Sequence, residues 1–178
     1  MNDSVFSKTV VQRFRLTDAA RDKAGVIETL SPAETLLLFV FLSPDCPICK
    51  NYTPVLNALE AAYQQRVKMI GIIPGTTYNA STIRAFAQKY KVRYTLMIDK
   101  KRELTKYLHA TITPEVILLN SKYELLYKGA VDNRYKDLGV QSAKATVPYL
   151  EDAIANYFGR SNIAVKRTKA TGCRINDF

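Results

Sequence analysis

Leu36-Leu37-Leu38-Phe39-Val40-Phe41-Leu42 is apolar at every position and runs directly into Ser43-Pro44-Asp45-Cys46-Pro47-Ile48-Cys49. A strand with one solvated face alternates polar with apolar side chains, whereas an unbroken apolar run requires cover on both faces, as in a sheet between helices. The run therefore predicts an interior strand. Ser43-Pro44-Asp45 ends it, and Tyr52, Val55, Leu56, Leu59, Ala62 and Tyr63 then recur at helical spacing. Both cysteines fall at the strand-to-helix turn. Pro47 suits the first helical position, where the N–H it lacks would be unpaired anyway. Pro54, inside the helical pattern, is expected to kink the helix.

This placement has a chemical consequence. Unpaired N–H groups and the positive end of the helix dipole stabilise a thiolate on the first cysteine, below the ordinary thiol pKa of about 8.5. Cys46 is then the nucleophile. Cys49, one turn later on the same side, can attack a mixed disulfide on Cys46 and release the reduced partner. A Cys-x-x-Cys pair also serves zinc, but a closed zinc site takes four ligands. The chain adds only Cys173, His109 and carboxylates, with no second paired motif. A copper carrier would likewise need further soft ligands beside the pair. The expectation is a redox dithiol with no metal and no organic cofactor.

Outward from this centre, the pattern predicts an opening strand over Val10–Leu16 and a polar stretch over Thr17–Gly25. Further strands are predicted at Val67–Ile73, Tyr94–Ile98, Val116–Asn120 and Glu124–Val131, the last two forming a hairpin across Ser121-Lys122-Tyr123. Helices are predicted at Ser81–Tyr90 and Lys100–His109. A final helix carries Val147, Leu150, Ile154, Tyr157 and Phe158 as its apolar stripe and ends at Gly159. The alternation predicts an α/β domain with its sheet between helices. Thr113-Pro114 stands just before an apolar strand, and only an X-Pro bond readily adopts the cis form.

The 178 residues, 47% of them hydrophobic, suffice for one substantial core. No run approaches the ~18 apolar residues of a membrane span. A net charge of +10 raises the question of polyanions. The basic residues are nevertheless spread along the chain, and the densest group, Lys166, Arg167, Lys169 and Arg174, has no interleaved aromatic residue, so no nucleic-acid partner is expected. The N-terminus lacks the basic start and apolar core of a secretory leader. Three cysteines cannot form a purely structural disulfide framework.

Taken together, Leu36 to Cys49, Pro54, and Thr113-Pro114-Glu115-Val116-Ile117-Leu118-Leu119 resemble the thioredoxin superfamily. The resemblance is to its redoxin branch of alkyl hydroperoxide reductase/thiol-specific antioxidant-like and periplasmic thioredoxin-like proteins. It covers roughly Val10 to Phe158. Gly129 to Tyr135 and Thr168 to Ile175 are similar to a bacterial redoxin subgroup whose C-terminal extension ends in a Gly-Cys-x-Ile motif. The resemblance implies a thioredoxin fold with a central mixed β-sheet over residues 1–160, followed by a basic tail, 161–178, containing Cys173. It implies that Cys46 attacks and Cys49 resolves, and that Thr113 and Pro114, with Pro47 and Ile48, dock the substrate. The implied partners are a protein thiol or disulfide and an upstream reductant or oxidant. It leans towards an extracytoplasmic location if a leader has been removed, and a cytoplasmic one otherwise.

Two departures qualify the transfer. Thioredoxin carries an acid six residues before its first cysteine, and Val40 stands there; Glu115 is a candidate substitute for proton transfer at the resolving thiol. Peroxiredoxins place Thr or Ser three residues before the reactive cysteine and Pro four residues earlier. Ser43 fits and Phe39 does not, which favours disulfide exchange over peroxide reduction. Cys173 is either an accessory thiol that exchanges with Cys46 or links two chains, or a cysteine of no catalytic weight.

Overall fold

The apolar run Leu36–Phe41 forms a strand with all six side chains buried. Alternation divides them between two cores. Leu36, Leu38 and Val40 face one core, which also contains Cys46 and Cys49. Leu37, Phe39 and Phe41 face the other. Burial on both faces is what the lack of polar positions requires.

This is a computed structural model that describes residues 5–28, 30–31, 35–137, 140–142 and 145–175, the side chains of 136–141 excepted. In chain order the elements begin with α1 (Lys8–Arg13), β1 (Leu16–Asp18), β2 (Lys23–Gly25), β3 (Leu36–Phe41), α2 (Pro47–Tyr63), β4 (Val67–Pro74) and α3 (Ala80–Lys89). They continue with β5 (Thr95–Asp99), α4 (Glu103–Tyr107), β6 (Ile112–Thr113), β7 (Glu115–Asn120), β8 (Leu125–Gly129), β9 (Tyr135–Asp137), β10 (Val140–Gln141), α5 (Tyr149–Phe158) and β11 (Cys173–Arg174). Seven strands form the main sheet in the order β2-β1-β5-β4-β3-β7-β8. The β3-β4 and β4-β5 pairs are parallel, and the remaining pairs of this sheet are antiparallel. The mixed sheet is thus the one expected of a thioredoxin fold, and β3 lies inside it between β4 and β7.

One expectation is corrected. Val10–Leu16 is not a strand: α1 occupies Lys8–Arg13, and the strand begins at Leu16. The Ser7 hydroxyl caps this short helix by accepting from Val10 N, and Val11 is its buried anchor. The polar stretch that follows is a β1-β2 hairpin. The helix expected over Lys100–His109 is confined to Glu103–Tyr107. The Asp99 carboxylate, three residues before the N-cap Arg102, holds the start, accepting from Glu103 N, Thr105 N and the Thr105 hydroxyl. Helix α2 continues through Pro54 to Tyr63.

Strand β7 shows how pleating sorts the residues after Pro114. Glu115 pairs in register with Phe41, and Val116 with Val40. Val116 therefore shares the core of the cysteines, while Glu115 is on the opposite face. There its carboxylate accepts from Thr111 N at 3.0 Å and lies 3.8 Å from Lys128 Nζ. Burial raises the Glu115 pKa, with Lys128 and the Thr111 amide working against the rise.

Lys128→Met leaves this buried carboxylate without its counter-charge and is expected to cost about 3 kcal/mol, read from urea unfolding at neutral pH. Because Lys128 lowers the already raised Glu115 pKa, its removal raises that pKa further, and the loss is complete only above the variant's value. It shrinks as pH falls below that value and is gone below the parent's folded pKa, where the carboxyl is neutral in both proteins.

Candidate active site

Cys46 is the N-cap of α2, and Pro47 holds the first helical position. The Cys46 carbonyl accepts from Lys50 N at 3.1 Å, starting the helix, and the Cys49 amide acts on the Cys46 sulfur. The three cysteines carry free thiols. Two further segments reach the two cysteines. As a thiol it donates to the Thr113 carbonyl at 3.3 Å, and the Thr113–Pro114 bond is cis. Ser43 N donates to Cys49 Sγ at 3.5 Å.

The electrostatics separate the two thiols of the motif. Cys46 is lowered to about 5, first by the hydrogen bond from the Cys49 thiol, against burial, and then by the Cys173 thiol and the Cys49 and Cys173 amides. Cys49 moves the other way: burial raises it well above its ordinary value, and the negative Cys46 beside it adds to the rise. An ionised Cys46 next to a protonated Cys49 is the pairing that thiol exchange needs before attack. Val40 faces this same core, so no carboxylate stands in the position where thioredoxin carries one.

Glu115 is not brought to the dithiol. Its contacts are with Thr111 and Lys128 across the sheet, as pleating from Pro114 dictates. Ile48 is 8% exposed and packs into the core with Cys49, whereas Pro47 is exposed beside Cys46. Of the four expected docking residues, Thr113 contacts Cys46 through its carbonyl, Pro114 follows it across the cis bond, Pro47 is the exposed neighbour of Cys46, and Ile48 turns inward. His109 is exposed at the end of α4, its carbonyl accepting from Lys128 Nζ. Among the described residues no His, Cys, Asp and Glu side chains are grouped as a metal ion would require.

Cys173 lies where the sequence offered no periodicity. It pairs with Thr113 in a two-residue antiparallel ladder, β11 on β6, and its thiol and amide reach Cys46. Burial and the negative Cys46 raise its own pKa to about 11. A cavity of about 290 Å³ opens beside the three elements, with Ser43, Asp45, Tyr78, Thr113 and Cys173 in its wall. Tyr78 belongs to this wall through 3.0 Å contacts to the Ser43 hydroxyl and Asp45 Oδ2. It comes from the loop after β4, and no sequence pattern marks it. A second polar cluster fixes the far side of α2: Tyr52 donates to buried Asp132, and Asn51 Nδ2 donates to the Tyr135 hydroxyl at 2.8 Å. This cluster ties the segment Gly129–Tyr135 to the helix that carries the dithiol.

The model of the AhpC/TSA family matches residues 9–133. The chain belongs to the AhpC/TSA family. Among solved structures it is similar to an uncharacterized conserved protein from Geobacillus kaustophilus, with a TM-score of 0.82 at 17% identity over 99% of this chain and 94% of that one. A hypothetical protein from Sinorhizobium meliloti gives 0.77 at 19% identity, over 98% and 97% of the two chains. A secreted disulfide oxidoreductase from Mycobacterium tuberculosis gives 0.60 at 16% identity, over 84% and 98%. At these identities the likeness establishes the thioredoxin-like fold. No curated protein matches the chain. Among the described residues, no helix of this AhpC/TSA member is long and apolar enough to cross a membrane.

Proposed function

We propose that this AhpC/TSA-family chain is a thiol:disulfide oxidoreductase that exchanges electrons between its Cys46/Cys49 dithiol and a disulfide in another protein. The observation that carries the reading is the environment of Cys46: an N-cap sulfur that takes the Cys49 thiol hydrogen and amide and is pushed down to about 5. In the reducing direction, the Cys46 thiolate attacks one sulfur of the substrate disulfide, forming a mixed disulfide and expelling the other sulfur as a thiolate. Cys49 loses its proton and attacks Cys46, leaving an internal disulfide and a fully reduced substrate. An upstream dithiol then returns the pair to the reduced state. The raised pKa of Cys49 keeps it protonated until the mixed disulfide has removed the negative charge beside it.

Thr113, Pro114 and Pro47 are the proposed docking residues, supported by the contact of the Thr113 carbonyl with Cys46 and by the place of Pro47 next to it. The family match and the disulfide-oxidoreductase activity named for the mycobacterial relative of like fold support the reading. The test offers the reduced protein insulin disulfides and, separately, hydrogen peroxide, with dithiothreitol as reductant. Insulin reduction well above the dithiothreitol blank, with peroxide consumption near its blank, is the expected outcome. Rapid peroxide consumption with insulin untouched overturns it in favour of peroxide reduction.

A further inference from the structure

The C-terminal segment returns to the domain along a defined path. Lys128 N donates to Lys166 O at 2.9 Å and Thr168 N donates to Lys128 O at 3.0 Å, placing residues 166–168 beside β8. The Thr168 hydroxyl accepts from Ala130 N at 2.9 Å. The chain then crosses to β6, where Cys173 faces Thr113 and Arg174 faces Ile112. Ile175 N donates to Thr111 O at 2.9 Å, and the Thr113 hydroxyl donates to Cys173 O at 3.3 Å.

Two glycines make this path possible. A methyl group at Gly172 would collide with the Thr113 carbonyl oxygen, and one at Gly129, whose φ is +146°, would collide with Thr168. Gly172 thus serves close backbone approach. The edge that β11 occupies is the Thr113 edge assigned above to substrate docking, and Cys46, despite its place at the helix tip, is only 1% exposed.

We propose that β11 is an internal substrate: it adds to the Thr113 edge as an incoming chain would, presents Cys173 to Cys46, and accepts a disulfide from Cys46. The proposal rests on Cys46 being the attacking thiol. In the transfer, the Cys173 thiolate attacks the Cys46 sulfur of a disulfide. The Cys46–Cys173 bond forms as the bond from Cys46 to its former partner breaks, and that partner leaves as a thiolate. The proton Cys173 gave to solvent is balanced by one taken up by the leaving sulfur, so one thiol and one disulfide enter and one of each emerges. The oxidised chain then partitions between Cys46–Cys49 and Cys46–Cys173 bridges, and the second fastens β11 across the docking edge. External chains reach Cys46 by displacing this strand.

The test treats reduced Cys49→Ser protein with one molar equivalent of the aromatic disulfide dithiobis(nitrobenzoate). Two thionitrobenzoate ions released per chain, an intact mass lower by two hydrogens and a Cys46–Cys173 peptide in a non-reducing map are the expected result. One ion released, with a lasting adduct on Cys46 and a free Cys173, overturns the proposal and leaves Cys46 as the nucleophile. An unreactive Cys46 overturns both. Gly172→Val in the same background keeps every thiol but pushes β11 from Thr113, and slows the second release by at least about ten-fold because Cys173 is no longer held in place. An unchanged second release contradicts the role of the strand.

Discussion

Cys46→Ser is expected to return insulin reduction to the dithiothreitol blank, a loss of at least roughly 1000-fold in catalysed rate, because removing the nucleophile of such a unit removes nearly all of its chemistry. A serine hydroxyl in the same place accepts the same hydrogen bonds but is almost never ionised at neutral pH. The fold is expected to survive. Cys46 contributes a small side chain to a core built on β3, α2 and α5, so its thermal unfolding midpoint stays close to that of the parent chain. Retained activity in a folded Cys46→Ser protein would remove Cys46 from the mechanism.

The second large effect concerns the donors rather than the nucleophile. The Cys49 thiol is the largest cause of the low Cys46 pKa, and the Cys173 thiol is the next that lowers it. Cys49→Ala/Cys173→Ala deletes both while leaving the backbone amides. With its pKa at about 5, Cys46 in the parent chain is mostly thiolate at pH 6. Its alkylation by iodoacetamide is therefore expected to be half-maximal near pH 5 and flat above.

In the variant the pKa rises towards the free value, and at the limit of about 8.5 the thiolate fraction at pH 6 falls to roughly 0.3%. Each surviving thiolate is also more basic and so more nucleophilic, by about 40-fold over such a rise. The two effects oppose each other. The variant is expected to react up to about 8-fold more slowly at pH 6 and up to about 30-fold faster at pH 9, the profiles crossing near about pH 7. Coinciding profiles would mean that the neighbouring thiols do not hold the Cys46 charge.

The part of this site that one segment can encode was legible in the sequence. An unbroken apolar run, a turn and a helix whose first position suits proline placed Cys46 and Cys49 before any long-range contact had to be known. Pleating and helical pitch also carried information that is easy to misapply. Glu115 follows Pro114 directly, yet its pairing with Phe41 puts it on the face away from the cysteines. Ile48, between the cysteines, points into the core while Pro47 points out. Val10–Leu16 alternates too loosely to distinguish a strand from the Ser7-capped helix that forms.

The position of Cys173 was beyond reach for a different reason. β11 is two residues long and pairs with a strand some sixty residues earlier. Two residues show no period, and the device that seats them is the absence of a side chain at Gly172. Tyr78 reaches the cavity from an irregular loop, where spacing carries no structural meaning.

The most direct measurement of the central claim mixes fully reduced parent chain with an equimolar amount of insulin, without dithiothreitol, quenches the mixture in acid and maps the disulfides by mass spectrometry. The expected result is one insulin disulfide reduced for each protein chain in which Cys46 has become bridged, to Cys49 or to Cys173. Three free thiols on the protein alongside intact insulin would contradict it.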